Sequence, residues 1–546
     1  MGWPTRLLVL GSLLLASAVA AASPPRWIHL SFAGHDAPRT AGVTWHTDGT
    51  DDPTQVQYGV APLWDQFATG TVTMGPQPLG AIHEVVLKDL QPGVEYRYRV
   101  GGEGSWSQEF RFRTPPDDLC TPYSFGILGD NRSDDDSGPS PRWFPIITEL
   151  LQEDPLFVLN SGDIVHNGDQ AKQWANWLEA SDQTLAVVPH MPTLGNHDDG
   201  PEDGDGAHYN RLFNLPRNDV TGTEDYYFFA TGNAIFVSLS TQTFKDFAAQ
   251  AAWLDRVLTE NPRLWKFVFF HHPTYTSHSL LGLLDISHEP NEQGQNPHYT
   301  AVFDKHHVDF VFYGHNHFYE RFEAMRGNGD EEEGIPVGDP AKGTQYVVTG
   351  GAGALAYNIA VGLFCGSAQG SRKCSGNHHF LTIELAGNRL SYRARSTAQQ
   401  LLAYNASNSK DIEVFSYTKE WPGGKDPCLE TPIEPVPETA AEAPPEAPPE
   451  VAPEVPPEEP APDVPPPPPD VPPDLPSPPR DEGAPPDDAP PPADLPVATD
   501  APATGGKKGG GCAAGASPGA SGLSAAVAFL LAIGWAARRR SRFTGK

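Results

Sequence analysis

Residues 123–132 read YSFGILGDNR: an apolar run with the character of a buried strand, then a glycine, then a carboxylate. Apolar runs ending in Asp, Asn or His return as LFVLNSGDIVH at 156–166, MPTLGNHD at 191–198, FVFFHHP at 267–273 and FVFYGHNH at 310–317, with a glycine opening each group except HHP. In open α/β sheets, ligands bind beyond the carboxyl ends of the strands. A glycine there lets the chain turn sharply, so that the next side chain projects over the edge. A lone Gly-Asp is a common turn, and a lone His-x-His is weak in a chain with 19 histidines. Five such groups, each directly after an apolar run, point to one constellation of Asp, Asn and His donors suited to borderline metal ions.

Working outward, further buried-strand candidates are AIFVSLS at 234–240 and TQYVVTG at 344–350. Amphipathic stretches at 140–152, 170–180, 248–259 and 300–306 predict helices between the strands, with Ser140-Pro141 as a helix start. The alternation is that of an α/β domain over 121–428. Before it, residues 25–116 carry short alternating runs (WIHLSF, AGVTWHT, TQVQYGV, HEVVLKDL, YRYRVGG, EFRFRT) separated by turn residues, which predicts an all-β sandwich. Its histidines, His29, His35, His46 and His83, are scattered and are expected to be surface or hydrogen-bonded residues without catalytic work.

The chain has 546 residues and a formal net charge of -32, with 58 prolines and 53 glycines. That balance excludes nucleic-acid binding through a basic surface. The region 429–504 holds 29 of the prolines and 18 acidic residues against the single basic Arg480, and it reads as a disordered, extended spacer. At the start, Arg6, the apolar run 7–20 and the small residues Ala18, Ala20 and Ala22 read as a signal peptide over 1–22. Export permits disulfides. Of the three pairings open to the four cysteines of the body, Cys365 with Cys374 and Cys120 with Cys428 are favoured, a short loop and a tie between the two ends of one domain. The tail 505–546 combines a glycine cluster with Cys512, an apolar stretch at 523–537 and a block of arginines, the pattern of a hydrophobic anchor. It resembles the cysteine-bearing sorting tails of myxobacterial surface proteins, which implies a sorting protease and attachment to the membrane or cell envelope. Acidic clusters at 134–136, 199–205 and 330–333 read as solvated loops whose negative potential opposes polyanionic ligands.

The motif series GD, GDxxH, GNHD, HHP, GHxH, behind a β-sandwich, resembles that of the purple acid phosphatases over roughly 25–417. YNRLFNLP, EDYYFFATGNAIFVSLST and YVVTGGAGA are similar to the family as well, and VVLKDLQPGVEYRYRVG is similar to fibronectin type III domains, with Leu90 and Tyr96 as core positions. The resemblance implies a four-layer metallophosphoesterase fold, a two-sheet β-sandwich flanked by helices with two metal ions at the strand ends. One ion would be held by Asp130, Asp163, His166 and His317, the other by Asp163, Asn196, His271 and His315. The implied reaction is hydrolysis of a small phosphate monoester by metal-bridged hydroxide. His197 would serve the leaving group with Asp198 orienting its ring, and Asn131, Arg132 and His278 would contact phosphate; a surface salt bridge is the other reading of Arg132.

One departure is chemical. The family has tyrosine where this chain has His166, and a neutral imidazole in place of a phenolate disfavours a ferric ion. The expectation is a colourless enzyme with two divalent ions, Fe, Zn or Mn. The alternatives are a phosphodiesterase or nucleotidase on the same centre, and a non-catalytic surface adhesin.

Overall fold

The computed structural model describes residues 22–199, 206–243, 245–278, 287–329, 332–357, 365–397 and 410–430. The expected signal peptide through residue 21, the spacer from residue 431 and the tail at 505–546 lie outside the described residues, as do parts of the acidic clusters at 199–205 and 330–333.

Two antiparallel four-stranded sheets form the N-terminal part, one built around Ala41–Thr47 and Ala81–Leu87, the other around Gln55–Val60 and Glu95–Gly101. Their inward residues, among them Trp45, Val56, Val85, Tyr96 and Tyr98, make one core. Leu90 and Tyr96 are buried, and the Tyr96 hydroxyl accepts a hydrogen bond from the Gln91 N–H at 2.9 Å. The four histidines are placed as expected: His29, His46 and His83 are buried with hydrogen-bond partners, and His35 is exposed. The sandwich docks on the α/β domain through the Tyr98 hydroxyl, which donates to the Ala186 carbonyl at 2.7 Å, and through His29, whose Nε2 lies 2.6 Å from the Leu212 carbonyl.

Residues 123–418 build two larger sheets. In one, Tyr123–Leu128, Val158–Asn160 and His190–Pro192 run parallel, and the antiparallel strands His379–Ala386, Arg389–Ser396 and Lys410–Thr418 extend it. In the other, Ala234–Ser238, Trp265–Phe269, Phe310–Tyr313 and Thr344–Thr349 are parallel neighbours. Strand side chains alternate between two destinations. Phe236, Phe267, Phe269, Phe310 and Phe312 point between the sheets, where they meet Phe125 and Phe157. Val237, Val268, Val311 and Tyr313 point outward, beneath the helices Phe247–Glu260 and Asn296–His306. Helices Trp143–Leu151 and Ala171–Ser181 cover the outer face of the first sheet with Trp143, Ile147, Trp174 and Leu178.

Two element expectations need correction. The first helix begins at Trp143 rather than at Ser140-Pro141. The Ser140 side chain is turned instead to the Gly353 carbonyl at 2.9 Å, and Ser140 and Pro141 form the turn that feeds the helix. The helix expected at 300–306 starts a turn earlier, at Asn296, with Pro297 in its first turn, where a missing N–H costs nothing. Both favoured disulfides, Cys120–Cys428 and Cys365–Cys374, are present.

Candidate metal centre

Every parallel strand that ends in a donor motif releases its donor at the same edge, where the two sheets open. Asp130, Asp163 and His315 leave their strands with φ of 56°, 55° and 69°. This left-handed region is one that non-glycine residues rarely occupy. The turn is therefore made by the donors themselves. Three of the preceding glycines act through their size: a Cβ at Gly129 would strike Ser161 Oγ, one at Gly195 would strike Asp163 and one at Gly314 would strike Asp130. Only Gly162 of the four has a positive φ, 97°.

The donors converge. Asp130 accepts the His315 N–H through both oxygens, at 2.9 and 3.1 Å, and its Oδ1 lies 3.6 Å from His317 Nε2. His271 Nε2 lies 3.2 Å from Asp163 Oδ1, 3.0 Å from Asn196 Oδ1 and 3.2 Å from His315 Nδ1. Asp163 also accepts the His197 N–H at 3.0 Å. Asp130, Asp163, His271 and Asn316 are fully or almost fully buried.

The ring tautomers are set by the outer partners. A carbonyl oxygen can only accept, so His271 Nδ1, 2.8 Å from the Ser161 carbonyl, and His317 Nδ1, 3.0 Å from the Leu355 carbonyl, carry the protons. Their Nε2 atoms face the cluster as lone pairs. His315 is reversed: Nε2 donates to Glu292 at 2.9 Å, and Nδ1 faces His271. Four lone-pair atoms, from Asp163, Asn196, His271 and His315, thus meet with no proton to share, an arrangement that a cation satisfies. Outer-shell acceptors on ligating imidazoles are a hallmark of metal sites. Burial, reinforced by neighbouring histidines or Arg132, lowers the pKa of His271, His315 and His317 and keeps them neutral. Against the cost of burial, His271, His197 and Arg132 hold Asp163 well below the usual carboxylate range, whereas burial and the Asp163 charge push Asp130 up.

The remaining expected residues divide. Arg132 is no surface ion pair: its side chain is 12% exposed, its Nε lies 3.3 Å from Asp163 Oδ2, and its Nη1 lies 3.2 Å from His166 Nδ1. His166 is half-buried at the edge of the cluster, its ring 5.2 Å from that of His197. His197 Nδ1 lies 2.7 Å from the His166 carbonyl and so carries its proton there. Asp198 does not orient that ring, contrary to expectation. Its oxygens are occupied by the N–H groups of Ile164, Val165 and Gly195, at 2.7, 3.1 and 2.9 Å, which tie two of the donor loops together. Asn131 is likewise corrected from a phosphate contact to a buried brace, donating to the Ile164 carbonyl at 3.4 Å and accepting from Asn160 at 2.7 Å. His278 is half-buried and, among the described residues, joins none of the cluster's hydrogen bonds. Sequence reasoning missed His288 and Glu292, which form a second potential donor group with His315, and Tyr357, whose ring packs on His317 at 4.9 Å. None of the three stands in a motif or after an apolar strand.

Residues 25–114 match the family described as Purple acid Phosphatase, N-terminal domain, and residues 124–319, which carry every donor of the cluster, match Calcineurin-like phosphoesterase. The chain is a metallophosphoesterase. This metallophosphoesterase is 28% identical to human Acid phosphatase type 7 over 379 residues, 64% of this chain and 82% of the relative. It is 28% identical to Purple acid phosphatase 22 of Arabidopsis thaliana over 333 residues, 58% of this chain and 72% of the relative. Its fold is that of the purple acid phosphatase from yellow lupin seeds, with a TM-score of 0.60 at 20% identity over 72% of this chain and 74% of the lupin chain. Its donors fit a purple acid phosphatase-like binuclear centre for Fe, Zn or Mn.

Proposed function

We propose that the chain is an exported phosphatase hydrolysing small phosphate monoesters at two divalent ions. The observation that carries this reading is the meeting of four unprotonated donor atoms, from Asp163, Asn196, His271 and His315, at the shared edge of the two sheets. Among the relatives, the names acid phosphatase, purple acid phosphatase and, in onion, phosphoenolpyruvate phosphatase support a monoester.

In this reading Asp130, Asp163, His166 and His317 hold one ion, and Asp163, Asn196, His271 and His315 hold the other. When bound, such a pair clamps phosphate oxygens and lowers the pKa of water toward neutrality. Arg132, between Asp163 and His166, is the side chain offered to a phosphate oxygen. His278 is a further phosphate contact. With Nδ1–H engaged by the His166 carbonyl, His197 leaves Nε2 free to face the substrate, and in the imidazolium form that nitrogen carries the proton passed to the leaving alkoxide, after which the ring is the neutral Nδ1–H tautomer. Asp198 supports this work by fixing the loops. The imidazole at position 166 replaces a phenolate, so the loaded protein has no visible charge-transfer band.

Two disulfides support an oxidising compartment. The domain plan that goes with this is a signal over 1–22, a fibronectin type III-like sandwich over 25–116, the catalytic domain over 121–428, a spacer over 429–504 and an anchoring tail over 505–546.

The test is metal analysis together with hydrolysis of an aryl phosphomonoester and a diester, each against Asp163→Ala. Two ions per chain and a monoester preference that falls to background in the variant are expected. A diester preference would point to a phosphodiesterase or nucleotidase, and no turnover of either substrate by metal-loaded protein would point to an adhesin.

A further inference from the structure

The segment 287–292 is strapped against the turn that carries two of the donors. Asn316, between His315 and His317, accepts the His288 N–H at 2.8 Å and donates back to the His288 carbonyl at 3.2 Å, while also donating to Thr276 Oγ1 at 3.0 Å. At its other end the strap is held by the Asn291 N–H on the Pro273 carbonyl, at 2.9 Å. The strap delivers Glu292 Oε2 to 2.9 Å from His315 Nε2 and lays the His288 ring on the His315 ring, centroids 3.7 Å apart.

We propose that Glu292 is a positioning residue for the metal centre, holding the His315 proton on Nε2 so that Nδ1 is presented to the ion with an orientation that the ring alone would not keep. The inference rests on the binuclear reading above. His271 and His317 have backbone carbonyls in the equivalent place; His315 alone among the three has a carboxylate, which fixes the tautomer and also adds negative charge behind the ring. The trio His288, Glu292 and His315 has the composition of a third metal site. A neutral imidazole, however, has one lone pair, and that of His315, on Nδ1, is directed at His271 rather than at Glu292.

The experiment uses the metal-loaded full chain. Metal per chain is measured, and the release of each ion into excess chelator is followed for wild type, Glu292→Ala, Glu292→Gln and His288→Ala, with circular dichroism as the check on folding. One of two ions should leave roughly 10–100-fold faster from Glu292→Ala, the range typical for loss of an outer-shell partner. Glu292→Gln, which keeps an acceptor without the charge, should recover part of the loss, and His288→Ala should change release less than Glu292→Ala. Unchanged release from folded Glu292→Ala overturns the proposal and leaves the binuclear reading intact. Three ions in wild type and two in Glu292→Ala overturn it in favour of direct ligation. Wild type that retains no ion pair overturns the reading on which it rests.

Discussion

Asp130, Asp163 and His315 each hold a left-handed backbone that costs roughly 1–3 kcal/mol in a non-glycine residue. Such strain persists where surrounding contacts over-determine it, as the His315 N–H on both oxygens of Asp130 does here. The adjoining glycines supply space for these turns. Gly195→Ala is therefore expected to displace Asp163 and lower metal content and hydrolysis together, with the circular dichroism spectrum retained; a variant with full metal content would show that the loop yields. The donors were legible because each closes an apolar run. Asn131 and Asp198 sit in the same motifs, yet they turn to neighbouring loops, since buried backbone N–H groups and side-chain amides there need partners. Glu292 was illegible because it lies 23 residues before His315 and meets it only through the strap.

At the scale of elements, the two sheets hold the donor edge in register through the aromatic layer between them. Phe236 lies 4.9 Å from Phe125, 5.1 Å from Phe157 and 5.1 Å from Phe267, ring to ring, so it joins both sheets. Phe236→Ala should cost roughly 3–5 kcal/mol by denaturant unfolding. A cost below about 1 kcal/mol would mean that the layer closes over the gap. The apolar runs ending in donors were readable as strands because they are buried on both faces. His379–Ala386 was not read, although it pairs with Tyr123–Leu128 and lies at the middle of its sheet. Pairing between strands so far apart in the chain leaves no local trace in a short alternating run.

At the scale of the whole molecule, burial of neutral histidines sets the response to acid. Burial pulls His46 and His190 down to about 3, against 6.5 for an unburied histidine. Between those values the unfolded chain binds more protons than the folded one, so stability is complete above about pH 6.5 and declines as pH falls toward 3. Each of the two contributes roughly 1.4 kcal/mol per pH unit in that window. Thermal midpoints should drop steadily from about pH 6.5 to about pH 4, and His190→Gln should flatten the slope; an unchanged slope would assign the acid loss to other groups.

The Cys120–Cys428 bond spans 308 residues of sequence. Tension applied between the two ends of the chain would travel from the N-terminal sandwich to Cys120, cross to Cys428 and pass straight into the C-terminal stretch. Residues 121–427, with every expected metal donor among them, hang from that covalent path as a closed loop, outside the line of force.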